Sequence, residues 1–384
     1  MEQVLHKLPN GWEWKRIEDV FTITSGKNLT KKDMHYEGEF PVYGGNGIAG
    51  RYNDFNLSGS NIIIGRVGAL CGNVRLVNND IWVTDNAFFV KEYKVDVLKE
   101  YLAKVLAALN LGETANKAAQ PVISYKGIKD LVIPYPPLDE QKRIVEKLDA
   151  LLTRIDTAIE HLQESATLAD ALFESSQSEI FNDVLSNYQY STIDEICIVT
   201  SSKRIFKADY VESGIPFYRT KEIVDLSKEK NISTELFIAK EKFSEICGKF
   251  GAPKKGDLLF SAVGTIGVMW IVDEREFYFK DGNLLWLKDM NGVTPEYLKS
   301  AINAVLTEKI KDRSQGAAYK AISITNLKAF EIPLPSIEEQ KSIVAKIEYV
   351  SSVTKKTKQE LGLQINDLQK LKASILDSAF KGEL

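Results

Sequence analysis

Three groupings in this 384-residue chain have residue types and spacings that could do chemistry. Gly45-Asn46-Gly47-Ile48-Ala49-Gly50 matches GxGxxG behind the strand-like FPVY. A dinucleotide site needs a helix to open at the last glycine, with its N-terminus facing a pyrophosphate. The turn-rich RYNDFNLSGS follows instead. Two readings stay open: a glycine loop presenting Tyr43, Asn46 and Arg51 to a DNA groove, or a tight hairpin. Asp85 with Glu92-Tyr93-Lys94 imitates a nuclease D…ExK core, a pairing that arises often by chance in charged stretches. Tyr135-Pro136-Pro137-Leu138 lacks the polar residue that an amino-methyltransferase motif uses to accept from an adenine amine. The chain is not expected to methylate alone. Cys71, Cys197 and Cys247 lie far apart, as do His6, His35 and His161, which fits neither a zinc site nor a disulfide framework.

What remains is polar and basic. DNA readers need Arg or Lys for phosphates and guanine, and Asn, Gln, Ser or Thr for base edges. The first half offers Lys27, Asn28, Lys31 and Lys32, then Tyr43, Asn46 and Arg51, then Arg66, and finally Lys117 to Gln120. The second offers Lys203, Arg204 and Lys207, then Arg219, Thr220 and Lys221, then Lys254 and Lys255, and finally Arg313, Gln315, Tyr319 and Lys320. A net charge of −4 argues against nucleic acid at face value. Divided by segment, the argument changes. Residues 138–185 carry 4 basic and 11 acidic groups, a net of −7, while 1–137, 186–336 and 337–384 are each at +1. The two large blocks are therefore free to present a basic face.

These clusters need scaffolds, and the scaffold is written twice. IPYPPLDEQK at 133–142 returns as IPLPSIEEQK at 332–341, and VISYKGIKDLVIP at 122–134 as AISITNLKAFEIP at 321–333. Val67-Gly68 matches Val263-Gly264, and IEDVFTITSGK at 17–27 matches IDEICIVTSSK at 193–203. Each copy reads as an α+β globule of short Val-, Ile-, Phe- and Tyr-rich strands, followed by a long helix. Only one helix is expected inside each globule, over 95–109 in the first and from about Pro295 in the second. From Asp139 to about Val184, apolar residues recur every three or four positions, a heptad seam roughly 65–70 Å long. A second seam runs from Ile337 to Ala379, started by the capping box Ser336/Glu339 and interrupted by the polar SSVTKKTK at 351–358. Two such helices most economically pair with each other, antiparallel, under a pseudo-twofold relation. Homodimerisation through the coils is the alternative. The predicted segments are 1–137, 138–185, 186–336 and 337–384.

LPNGWEWKRIEDV at 8–20, the proline-flanked DEQK and EEQK helix starts, and the ending LQKLKASILDSAFKGEL resemble the specificity subunit of type I restriction-modification enzymes. The resemblance spans essentially the whole chain. It implies two target-recognition domains, each reading half of a bipartite double-stranded DNA site, separated by two antiparallel helices that act as a ruler. It also implies two modification subunits as partners, which bind S-adenosylmethionine and methylate adenine N6. Restriction subunits, using ATP and Mg, join them in the full complex. On this reading the chain is a non-catalytic subunit with no cofactor of its own. A solitary or inhibitory relative, and a coiled-coil adaptor without a DNA role, stay open beside it. The sequence has no run of 18 apolar residues and no secretory h-region, so a cytoplasmic protein is expected.

Overall fold

The computed structural model describes residue 3 and residues 5–35, 37–116, 119–280, 282–312 and 321–384. The chain divides into two compact units, Met1–Glu164 with Leu361–Leu384, and Ser165–Glu360.

In the first unit, β1 (Glu13–Arg16) pairs with β9 (Val132–Tyr135), and the short helix α1 (Ile17–Val20) follows β1 directly. The main sheet is antiparallel in the order β2-β8-β5-β6, from Phe21–Ser25, Ala87–Tyr93, Asn61–Gly65 and Val74–Val77. Its central strand β5 is the apolar run Ile62-Ile63-Ile64, buried on both faces, which is why no alternation shows there. A smaller sheet joins β3 (Phe40–Gly44) to β4 (Gly47–Tyr52) as a hairpin and to β7 (Trp82–Val83) in parallel. Helices α2 (Lys99–Ala108) and α3 (Tyr125–Ile128) complete the globule. Helix α2 begins four residues later than the pattern predicts, because the Leu98 N–H donates to the Gln141 side chain and holds 96–98 out of the helix.

The second unit repeats this plan. Strand β10 (Tyr190–Thr192) pairs with β19 (Glu331–Pro333), and α5 (Ile193–Ile196) follows β10. The main sheet runs β11-β18-β15-β16, from Ile198–Thr200, Leu284–Lys288, Leu258–Ser261 and Met269–Ile271. A parallel pair again marks the smaller sheet, β13 (Ile215–Tyr218) with β17 (Tyr278–Phe279), now extended by β12 (Tyr210–Val211) and β14 (Phe237–Ile238). Helices α8 (Pro295–Asp312) and α9 (Ile324–Lys328) match α2 and α3; Ser124 and Ser323 cap α3 and α9 alike. Two helices here have no counterpart among the described residues of the first unit and were not expected: α6 (Thr220–Ser227) and α7 (Lys240–Phe250). Their charged faces and short length hide a periodicity that is completed by packing of Ile223, Leu226 and Ile246.

The long helices are α4 (Leu138–Asn187) and α10 (Ile337–Lys381). In the first unit Ile144 and Leu148 of α4 share a core with Ala379 and Phe380 of α10. In the second, Phe181 and Val184 of α4 share one with Ile343 and Ile347 of α10. Asp156 bonds Lys372 at 2.6 Å, and Asp170 bonds Lys358 at 2.7 Å. In the first unit the contacts run forward from Leu148 to Asp156 on α4 and back from Phe380 to Lys372 on α10. In the second they run forward from Asp170 to Phe181 and back from Lys358 to Ile347, so the pairing is antiparallel in each. Within 351–358 every residue but Thr354 is exposed, as the broken seam predicts. The capping box forms: Glu339 Oε2 accepts from the Ser336 N–H at 2.9 Å, and Ser336 Oγ accepts from the Glu339 N–H at 3.4 Å. Past α10, Gly382 adopts φ +77°, packs against Pro9, and lets the chain turn so that Arg143 reaches the Leu384 carbonyl at 2.7 Å.

Each unit places a phenylalanine of one long helix on a tyrosine of its globule. Phe380 meets Tyr101 at 6.0 Å between ring centroids, and Phe181 meets Tyr297 at 6.3 Å. The tyrosine hydroxyls donate to Pro134 O (2.9 Å) and Pro333 O (2.8 Å). Burial pushes both phenols far above their usual pKa, so they stay neutral donors at any physiological pH. Truncation of either phenylalanine opens a cavity between helix and globule. Phe181→Ala and Phe380→Ala are each expected to cost about 3–5 kcal/mol, read as a lowered midpoint in denaturant titrations of the full chain.

Candidate nucleic-acid interface

In the first unit the hairpin tip between β3 and β4 is pressed onto the Val67–Leu70 turn. A Cβ on Gly45 would lie 2.0 Å from Val67 O, and one on Gly65 would lie 2.2 Å from Gly45 O. Only residues without side chains allow that approach, so the GxGxxG segment is a hairpin and no helix opens behind it. Asn46 sits exposed at the tip, its Oδ1 accepting from the Leu70 N–H at 3.3 Å. The same turn is tied to the 120–123 segment: Gly68 N–H donates to Pro121 O at 2.9 Å, and Ile123 N–H donates to Arg66 O at 3.0 Å. Lys27 N–H donates to Val83 O at 2.9 Å, which anchors the exposed loop of Asn28, Lys31 and Lys32 beside β7. Hairpin tip, Val-Gly turn, Gln120 and the base of the lysine loop thus form one continuous edge.

Three predicted residues on this edge are occupied within the protein. The Arg51 guanidinium donates to Gly38 O and Glu39 O, both at 2.5 Å. Arg66 is half-buried, 5.4 Å from the Phe88 ring centroid, with Nη1 bonded to Asp85 O at 3.2 Å. Tyr43 is half-buried against the cluster of Ile63, Val77 and Val83. Lys117 lies outside the described residues. The sequence reading passed over Arg75, whose Nη2 stands 3.5 Å from Asn46 O, and the exposed apolar pair Ile48 and Leu70 on either side of Asn46. Nothing local in sequence singles them out; the hairpin docking brings them together.

The second unit holds the corresponding turn with Val263 bridged to Ala321 as Val67 is to Val122, and with the Ile322 N–H donating to Ala262 O at 2.9 Å as Ile123 does to Arg66 O. Its contents differ. Lys203 N–H donates to the Tyr278 hydroxyl at 2.8 Å, and Lys203 Nζ stands 4.3 Å from the Phe250 ring centroid. Arg204 and Lys207 flank Phe206, a ring 63% exposed that sequence reasoning missed. Lys254 and Lys255 are exposed in the turn before β15, and Lys255 pairs with Glu274 at 2.7 Å. Arg313, Gln315, Tyr319 and Lys320 lie outside the described residues.

Arg219, Thr220 and Lys221 open α6. Arg219 Nη2 bonds the buried Glu222 at 2.7 Å and Glu235 at 2.9 Å, and Lys221 stands 3.8 Å from Glu235. Burial pushes the Glu222 carboxyl upward, but hydrogen bonds from Arg219 outweigh it and hold the group below the usual carboxylate range. The pair therefore contributes stability above that range and loses it as pH falls through the lowered pKa. Arg219→Met would leave a buried carboxylate unpaired, at a cost of about 3–5 kcal/mol near neutral pH. The loss should shrink on acidification as Glu222 takes up a proton. Denaturant titrations at pH 7.5 and pH 4.5 check this.

The profile of the family described as "Type I restriction modification DNA specificity domain" matches residues 9–168 and 186–366. The Haemophilus influenzae specificity-subunit homologue S.HindORF215P is 26% identical over 382 residues, covering 95% of each chain. The Escherichia coli type I restriction enzyme EcoBI specificity subunit is 27% identical over 415 residues, covering 96% of this chain and 79% of its own. A chain solved in a study of complex assembly and conformational transition of the type I R-M system superposes with a TM-score of 0.77. That match has 20% identity and covers 99% of this chain and all of the other. Among the described residues, no three His, Cys, Asp or Glu side chains gather as a metal site, and no helix is long and apolar enough to cross a membrane.

Proposed function

We propose, from the premise that this chain belongs to the type I restriction modification DNA specificity family, that its two globules read unlike halves of one bipartite DNA site. The chain is a DNA sequence-recognition subunit, and the internal repeat is how it comes to read twice. One observation carries the asymmetry. The units share their main-sheet order and framework hydrogen bonds, yet one edge carries a β3–β4 hairpin where the other carries α6 and α7. Identical readers would select a palindrome; these select unlike halves. The exposed and chemically suitable side chains include Lys27, Asn28, Lys31, Lys32, Asn46 and Gln120 in the first unit, and Lys203, Arg204, Lys207 and Lys254 in the second.

The long helices set the spacer and dock two modification subunits. Exposed apolar residues one turn apart support the docking role: Leu168 with Leu172 on α4, and Tyr349 with Val353 on α10, all on the second unit. S-adenosylmethionine and the adenine N6 chemistry belong to those partners, and ATP and Mg to the restriction subunits. This chain contributes no catalytic group and works in the cytoplasm, where the DNA is.

The test is the methylome of a host expressing this chain and its modification subunit, together and separately. Methylated adenines in a gapped, non-palindromic two-part motif are expected only with both proteins; a symmetric motif contradicts the reading. Replacing Lys27, Lys31 and Lys32 with Ala should weaken binding to all sequences alike. It should also lower the slope of log affinity against log salt by about 0.9 per phosphate contact removed.

A further inference from the structure

The joint between each globule and the long helix leaving it is built twice, on one plan. Gln141 lies one turn into α4 and is fully buried. Its Oε1 accepts from the Leu98 N–H at 2.9 Å, and its Nε2 donates to Pro136 O at 2.9 Å. Gln340 lies one turn into α10, equally buried. Its Oε1 accepts from the Thr294 N–H at 2.8 Å, and its Nε2 donates to Gly292 O at 2.8 Å and Pro335 O at 2.9 Å. Each carboxamide ties together the chain entering the globule's helix, the proline segment, and the first turn of the long helix.

A buried carboxamide is an expensive way to fill space. It must be fully hydrogen-bonded to offset its desolvation, whereas Met or Leu would occupy the volume without that demand. What the amide adds is direction, since hydrogen bonds fix an angle and apolar contacts largely do not. An ion pair that does cross the first joint, Lys104 of α2 with Asp149 of α4, is partly exposed and holds geometry weakly.

We propose that Gln141 and Gln340 are positioning residues: they fix the angle at which each long helix leaves its globule, and through it the spacer length accepted between half-sites. They take no part in reading bases. This rests on the two-half-site reading given above.

The experiment maps adenine methylation genome-wide with the full chain and its modification subunit expressed together. In Gln141→Met and Gln340→Met, which keep side-chain volume, the half-site sequences should stay unchanged. Sites with spacers one base pair longer or shorter should become methylated at least tenfold more than with the unaltered chain. Ile63→Val, in a part of the first globule's core away from the long helices, should lower methylation without admitting new spacers. If both methionine variants assemble with the modification subunit and keep the single parental spacer, losing only overall methylation, the positioning role is overturned. Should either variant fail to accumulate, Gln141→Glu and Gln340→Glu are read by the same spacer criterion. An unaltered chain that directs methylation to an ungapped motif overturns the two-half-site reading itself, and this proposal with it.

Discussion

A helix of 50 residues with apolar side chains every three or four positions cannot bury its own stripe, and the architecture follows from the partner it takes. That partner is the other long helix of the same chain, laid antiparallel. Antiparallel pairing gives each globule two helix segments of different origin: the start of the helix it leads into and the end of the other one. The two aromatic contacts, Phe380 on Tyr101 and Phe181 on Tyr297, are the point where this arrangement becomes visible as chemistry. The phenylalanines stand at equivalent places in the repeat. The same kind of buried tyrosine receives each, and each tyrosine hydroxyl is satisfied by the proline carbonyl just ahead of the next long helix.

Much of this frame was legible in the sequence because it repeats. The paired proline segments, the Val-Gly turns, the capping box and the heptad steps all lie within a few residues of where they act. The edges were harder. Helices α6 and α7 escaped notice because each is stabilised by packing of two or three side chains and not by a long periodic stripe. Arg51 reads as a residue facing a DNA groove and Arg66 as a DNA contact, yet their guanidinium groups bond the backbone carbonyls of Gly38 and Asp85, partners that the local pattern does not announce. Arg75 and Phe206 went unremarked for the opposite reason: an isolated charge or ring carries no signal until folding places it. Gln141 stands in the repeated DEQK segment, but its burial and both its partners become apparent only in three dimensions.

The two units show how one framework carries two different surfaces. The two main sheets keep the same order, and the parallel strand pair recurs in both small sheets. The extra elements of the second unit, α6, β14 and α7, lie between β13 and β15, in the stretch where the first unit has β4. Two close backbone approaches at this edge of the first unit use glycine at 45 and 65. On the second unit the position matching Gly65 is Ser261, fully buried, so the same turn is lined differently. Divergence of the edges can thus proceed while the sheets, caps and joints stay fixed.

The discontinuity of the first unit has a consequence for synthesis on the ribosome. Residues 165–360 supply the whole of the second unit, whereas the first needs 361–384 before Ala379 and Phe380 can close its core and Gly382 can settle against Pro9. The globule translated first is therefore the one completed last. Its site for Phe380 stays open during the translation of about 200 further residues, and the loop eventually closed is among the longest the chain allows. A nascent chain in this state exposes an apolar site beside the N-terminal half of α4, the half that must wait for the last helix to arrive.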